Sequence, residues 1–151
     1  MIAQIASRVR ETLLAEAAKA APNEACGLLL GCAGAIEAAV PAANVAAHPE
    51  NTFEIDPAVL LRTHREARKQ GQQVIGHYHS HPDDSAEPSL RDAARATENG
   101  QLWLIVAAGE IHAWHVTPGR SALHGRFLPV ALHTDVLPAI LDTGVPPAPV
   151  A

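Results

Sequence analysis

Two cysteines in 151 residues are too few for a disulfide framework. Cys26 and Cys32 are the only pair that could bridge, and both are expected to stay reduced as small buried hydrophobes. A basic surplus is missing as well. The formal net charge is -5, which argues against a nucleic-acid footprint and against a patch for anionic membranes. Long apolar runs are missing too: the longest, Ala25 to Ile36, is about half of the ~20 residues a bilayer span requires and contains three glycines. The opening "MIAQIASRVRETLLAEAAKAAP" is interrupted by Arg8, Arg10 and Glu11, so it has no unbroken apolar core of the kind a secretory signal needs. These absences point to a cytoplasmic protein without nucleic-acid or membrane partners. At 151 residues the chain can bury roughly 70% of its unfolded surface and needs no covalent staple.

What is present reads as a compact α/β alternation. Ile2, Ile5, Val9, Leu13 and Leu14 recur at helical spacing, so residues 2 to 20 are expected to form an amphipathic helix. "CGLLLGC" and "AIEAAVPAANVA" read as two strands joined by a turn at Ala33 and Gly34. "HPENTFEID" is a loop into a short extended piece. Asp56-Pro57 then offers an N-cap and a first-turn proline for a helix reaching Gln70. "QQVIGHYHSHP" is a strand stopped by Pro82, which cannot donate to a ladder. After the loop "DDSAEP" a helix is expected from Ser89 to Asn99. "LWLIVAA" is apolar throughout, as in a strand buried on both faces, with "EIHAWHV" as its hairpin partner and a last strand around "HGRFLPVAL". Residues 1 to 135 are assigned to one domain. The Pro-rich remainder, 136 to 151, is expected to be disordered.

The chemistry concentrates between Gly76 and Ala96. His79 and His81 are two apart on a strand, so both imidazoles leave the same face and can converge on one ion. Ser89 and Asp92 stand one helical turn apart and share a face, which makes a carboxylate available as a third donor. Two histidines and a carboxylate with an open fourth position form the ligand set of a catalytic rather than a structural zinc site. Each piece also has a plainer reading. The histidine pair can be a polar strand end, and Ser89-x-x-Asp92 can be a capping box. His77 is assigned to the opposite face, in a structural or supporting role. His112 and His115 have opposite parity in the later hairpin, and Asp83, Asp84 and Glu87 read as a solvated loop.

The joint spacing decides between these readings. His79-Ser80-His81-Pro82, six residues, then Ser89-Leu90-Arg91-Asp92 resembles the JAMM, or MPN-plus, signature H-x-H-P followed by S-x-x-D. "PNEACGLLLG", "FEIDP" and "VIGHYHSHP" extend the likeness over roughly residues 5 to 115. The resemblance implies a mixed, mostly antiparallel sheet flanked by helices, similar to cytidine deaminases. It implies one zinc ion per chain, held by His79, His81 and Asp92 with a water in the fourth position. It further implies Glu24 as general base and acid and Ser89 as stabiliser of the oxyanion. Spacing alone does not single out Glu24.

The implied reaction is amide hydrolysis after the C-terminal glycine of a ubiquitin-like or sulfur-carrier protein, whether the bond is a peptide or an isopeptide. Residues 25 to 78, 54 in all, separate Glu24 from His79, which leaves little room for the insertions of ubiquitin-chain enzymes. A Gly-Gly tail is expected to pair with an exposed strand edge beside the site. A general small-peptide zinc hydrolase and a non-catalytic MPN scaffold are the alternatives. A deaminase requires H-x-E and a later P-C-x-x-C, and the chain has neither. The oligomeric state is left open.

Overall fold

A computed structural model describes residues 1–32, 34–83 and 85–135. Ala33 of the expected turn, Asp84 of the expected solvated loop and the expected tail from 136 onward lie outside the described residues.

Ala3 and Ile5 are buried while Ile2 and Gln4 face outward. That two-residue period makes Ile2–Ala6 a strand, β1, where a helix was expected. The helix starts only at Ser7: α1, Ser7–Ala20, buries Val9 and Leu13. β2 (Cys26–Cys32) and β3 (Ala35–Ala42) form an antiparallel pair, with β3 ending four residues before the expected Ala46. Helix α2, Pro57–Lys69, opens with the Asp56 carboxylate accepting from the Ala58 N–H, as its Asp-Pro start predicts. β4 (Gln73–Ser80), α3 (Leu90–Arg95), β5 (Leu102–Ala107), β6 (Glu110–Val116) and β7 (Phe127–Asp135) complete the order. α3 ends at Arg95, short of the expected Asn99: its C-cap Ala96 leaves helical geometry at ψ 77°, and the Ala96 carbonyl accepts from Arg126 at 3.0 and 2.6 Å. β7 begins at Phe127 instead of His124, since His124 and Gly125 both take left-handed turn conformations.

The strands hydrogen-bond in the order β1-β3-β2-β4-β5-β6-β7, and β7 pairs back onto β1 to close a barrel. The sheet is mixed, as expected: the pairings of β1 with β3, β1 with β7 and β4 with β5 are parallel, and the other four antiparallel. The seam between β1 and β3 is short: the two pair only at Gln4–Ala35 and Ile5–Ile36, so among the described residues β3 from Glu37 to Ala42 has a strand neighbour on its β2 side alone. β1, read from the sequence as helix, is the strand that links β7 to β3 and so closes the sheet.

β5 is buried on both faces. Leu102, Leu104 and Val106 join Leu29, Tyr78 and the α1 residues Val9 and Leu13 in one core. Trp103 and Ile105 point the other way, into a second cluster with Trp114, Val116 and Phe127. Gly76 allows β4 and β5 to come together, because a Cβ there would collide with the Leu102 carbonyl. Cys26 is buried as expected, but Cys32, at the open end of β2, is exposed; both are free thiols. Among the described residues no helix is long and apolar enough to cross a membrane.

Candidate metal centre

The site forms where the end of β4 meets the start of β2. Antiparallel register sets Cys26 opposite His79, and this brings residue 24 beside the histidines despite the long sequence separation. The Ala25 N–H donates to the Ser80 hydroxyl at 2.7 Å, and the Ser80 N–H donates to the Ala25 carbonyl at 3.0 Å. On the other side, the His81 N–H donates to Val106 of β5 at 2.9 Å, which fixes the backbone beyond the end of β4.

α3 supplies the carboxylate. Ser89 caps this helix: its hydroxyl accepts from the Asp92 N–H at 2.9 Å, while Asp92 Oδ2 accepts from the Ser89 N–H at 2.9 Å. The capping box of the plainer reading is therefore real, and it also serves the site. The same Oδ2 lies 3.2 Å from His79 Nε2 and 3.2 Å from His81 Nε2, and the two imidazole nitrogens are 3.1 Å apart.

Three donor atoms thus form a nearly equilateral triangle. A tetrahedral ion with bonds of 2.0–2.1 Å holds its ligand atoms about 3.3 Å apart, so this triangle has the size of one face of such a site. His81 Nδ1 donates to the Ser85 carbonyl, which leaves the Nε2 lone pair directed at the other two donors. Lone pairs crowded this closely repel unless a proton or a cation lies among them, so the donor set fits a divalent metal. One donor atom each from Glu24, His79 and His81 also lie within 4.8 Å of one another, which offers a second possible triad. The Asp92 contacts are much shorter. Glu24 Oε1 is buried and accepts no hydrogen bond among the described residues.

From residue 6 to residue 117 the sequence matches Prok-JAB, the prokaryotic homologs of the JAB domain. The chain belongs to this family. It is 36% identical over 107 residues to the desampylase of Haloferax volcanii, covering 67% of this chain and 77% of that protein. It is 36% identical over 76 residues to a probable TtuB-protein conjugate cleaving protease of Thermus thermophilus, about half of each chain (50% and 51%). Against the CysO-cysteine peptidase of Mycobacterium tuberculosis the identity is 29% over 102 residues, 66% of this chain and 69% of that one. The solution structure of a Desulfitobacterium hafniense protein superposes with a TM-score of 0.76 at 28% identity, covering 89% of this chain and 93% of the other.

Electrostatics in this Prok-JAB domain separate the four groups. Burial alone would raise the Asp92 pKa, but in the metal-free chain, where protons occupy the histidine Nε2 positions, hydrogen bonds from His79 and His81 outweigh it and hold the carboxylate well below its usual range. Burial lowers the pKa of fully enclosed His79. For His81 the opposing burial is outweighed by the Asp92 hydrogen bond, and its pKa rises. Glu24 is pushed up to about 7, chiefly by burial.

His77 lies on the same face as His79 and His81, contrary to the sequence expectation, because a strand's period of two puts residues 77, 79 and 81 together. Its ring sits 5.8 Å from that of His79 and 4.2 Å from that of Trp103, and burial lowers its pKa to about 3. Asp83 and Glu87 are exposed, as expected of a loop. Ser89 is exposed on the wall of a cleft of about 280 Å³ that also borders Glu24, His81, Asn51 and Arg91.

Sequence reasoning misses the residues that brace this Prok-JAB site. Asn44 donates to the carbonyls of Glu24 and Thr52 at 3.0 Å each and accepts from the N–H groups of Ala46 and Glu54. Trp114 and His124 tie down the 85–88 loop through the carbonyls of Ala86 and Pro88. None of the three has a periodicity that would mark it. Phe53 and Arg95 are missed in the same way, although "FEIDP" contains the first of them.

Proposed function

We propose that this chain is a zinc-dependent peptidase or isopeptidase, cutting the amide bond after the C-terminal glycine of a small ubiquitin-like or sulfur-carrier protein. The observation that carries the reading is the triangle of His79 Nε2, His81 Nε2 and Asp92 Oδ2 at 3.1–3.2 Å, with an unpartnered buried carboxylate, Glu24, beside it. The names of the relatives support the substrate class, since they cleave protein conjugates or a CysO-cysteine bond.

His79, His81 and Asp92 would hold one zinc ion per chain, which supplies Lewis acidity and a water of lowered pKa. The chain's own groups do the rest. Glu24, a buried carboxylate without a hydrogen-bond partner at Oε1 among the described residues, takes a proton from water and returns it to the departing amine, which leaves poorly without it. The Ser89 hydroxyl accepts from the Asp92 N–H, so its own proton is free to be donated to the oxygen that gains charge. Removing one such donor typically slows a reaction about 10²–10³-fold. A C-terminal tail entering the cleft beside Ser89 comes closest with its backbone where it has no side chains, and Gly-Gly offers that.

The test is a folded ubiquitin-like fusion ending in Gly-Gly before a reporter peptide, with products weighed by intact mass. Zinc-dependent cleavage directly after the second glycine is expected. Equally fast cleavage of unstructured peptides, or cuts scattered away from the glycine, would point instead to a general small-peptide hydrolase.

A further inference from the structure

The two histidines of the site are held in different ways. His81 has a conventional brace: its Nδ1 donates to a backbone carbonyl, that of Ser85. Metal-binding histidines almost always donate their second nitrogen in this manner, which fixes both tautomer and ring orientation. His79 has no such brace. Its Nδ1 is buried and has no hydrogen-bond partner among the described residues, although the residue is 0% exposed.

A ring is its brace instead. Phe53 lies against the His79 imidazole with centroids 4.4 Å apart and planes tilted by only 20°, an offset stack. Trp103 meets the same imidazole edge-on, 5.6 Å away at 85°. Rotation of His79 about χ2 would drive its edge into one ring or the other. Phe53 comes from an irregular loop and needs anchoring of its own, and Arg95 provides it. The Arg95 guanidinium donates to the Phe53 carbonyl and to the Thr52 hydroxyl, and its carbon lies 5.2 Å from the Phe53 ring centroid.

Arg95 stands three residues after Asp92 on α3. We infer that Phe53, clamped by Arg95, is a positioning residue for His79, so that the short helix α3 sets two of the three metal-binding side chains: Asp92 directly, and His79 through the Arg95–Phe53 stack. The inference rests on the metal-site reading above and concerns binding of the ion, independent of which substrate is cut.

The test is zinc affinity of the full chain, measured by competition with a chromophoric chelator, with the visible bands of the cobalt-substituted protein as a second readout. Phe53→Leu keeps apolar bulk but removes the stacking face, and it should weaken zinc binding about 10-fold or more, in the range seen when outer partners of metal ligands are removed. It should also shift the cobalt bands. Phe53→Tyr restores the face and should bind within about 2-fold of wild type, with unchanged bands, a rescue that general packing loss would not give. Arg95→Gln, at an exposed position that leaves the core intact, should weaken binding in the same direction. Wild-type affinity in both Phe53→Leu and Arg95→Gln would overturn the inference and leave the metal site standing. Failure of the wild-type protein to bind zinc at all would overturn the metal-site reading, and the inference with it.

Discussion

Ser80 and Ala25 are joined twice, hydroxyl to N–H at 2.7 Å and N–H to carbonyl at 3.0 Å, so the residue between the two histidines also sets the position of the residue next to Glu24. Ser80→Ala removes the hydroxyl and leaves the Ala25 N–H, in a buried setting, without its acceptor. That should cost about 1–3 kcal/mol of stability. Since the histidines stay in place, zinc content should be unchanged, while kcat falls roughly 10-fold as Glu24 loses its alignment, by the sensitivity of reacting geometry to small displacements. Elemental analysis beside steady-state kinetics checks this; a parallel loss of zinc and activity would mean that Ser80 supports the metal site rather than Glu24.

Asp92 does two things with one oxygen, and two substitutions separate them. Asp92→Asn keeps a carbonyl oxygen for the Ser89 N–H but gives up the charge, whereas Asp92→Ala gives up both. Both variants should lose tight zinc binding. The alanine variant alone should also lose about 1 kcal/mol from the helix start, by the usual cost of losing a cap. Chemical denaturation of the metal-free proteins measures the difference, and equal stability of the two variants would show that the cap hydrogen bond contributes nothing.

How much of this is legible in the sequence depends on how far each relationship reaches along the chain. His79 and His81 share a face because strands repeat every two residues, and Ser89 and Asp92 meet because a helical turn spans three; both are local facts. The same period places His77 with them, so the assignment of His77 to the other face misapplied a rule the sequence already contained. Glu24 reaches the site only through the register that sets Cys26 opposite His79, a long-range pairing that no spacing encodes. Barrel closure is hidden for a different reason. Ile2, Ile5 and Val9 fit a helix, and the small Ala3 gives little sign that it is the buried partner of Ile5 in a strand. Asn44, Phe53 and Arg95 act through loop carbonyls and a ring stack, contacts without any period.

Glu24→Gln separates binding from chemistry. The amide keeps the size of the side chain but cannot accept a proton, so zinc content should match wild type while kcat/KM on a Gly-Gly fusion drops by about 10²–10⁴, the usual contribution of a general base. His81→Ala should lose the metal itself. Near wild-type turnover by Glu24→Gln would place the base elsewhere in the cleft.

The buried carboxylate of Glu24 also leaves a mark on stability. Its pKa rises from an ordinary value near 4.5 to about 7 in the folded protein, because burial penalises the charged form. The folded state therefore holds this proton more tightly than the unfolded chain does. Below about pH 4.5 the group is protonated in both states and costs nothing; between pH 4.5 and 7 unfolding releases the proton, so stability falls as pH rises; above 7 the full penalty, on the order of 3 kcal/mol, is in place. Glu24→Gln mimics the protonated form at every pH. In metal-free protein the variant should melt close to wild type near pH 4.5 and roughly 5–10 °C above it at pH 8. Asp92 and the histidines titrate in both proteins, so the difference between the two melting curves reports residue 24 together with its coupling to His81 and Asp92. Curves that run parallel from pH 4.5 to 8 would show that Glu24 is ionised at an ordinary pKa and is not held ready as a base.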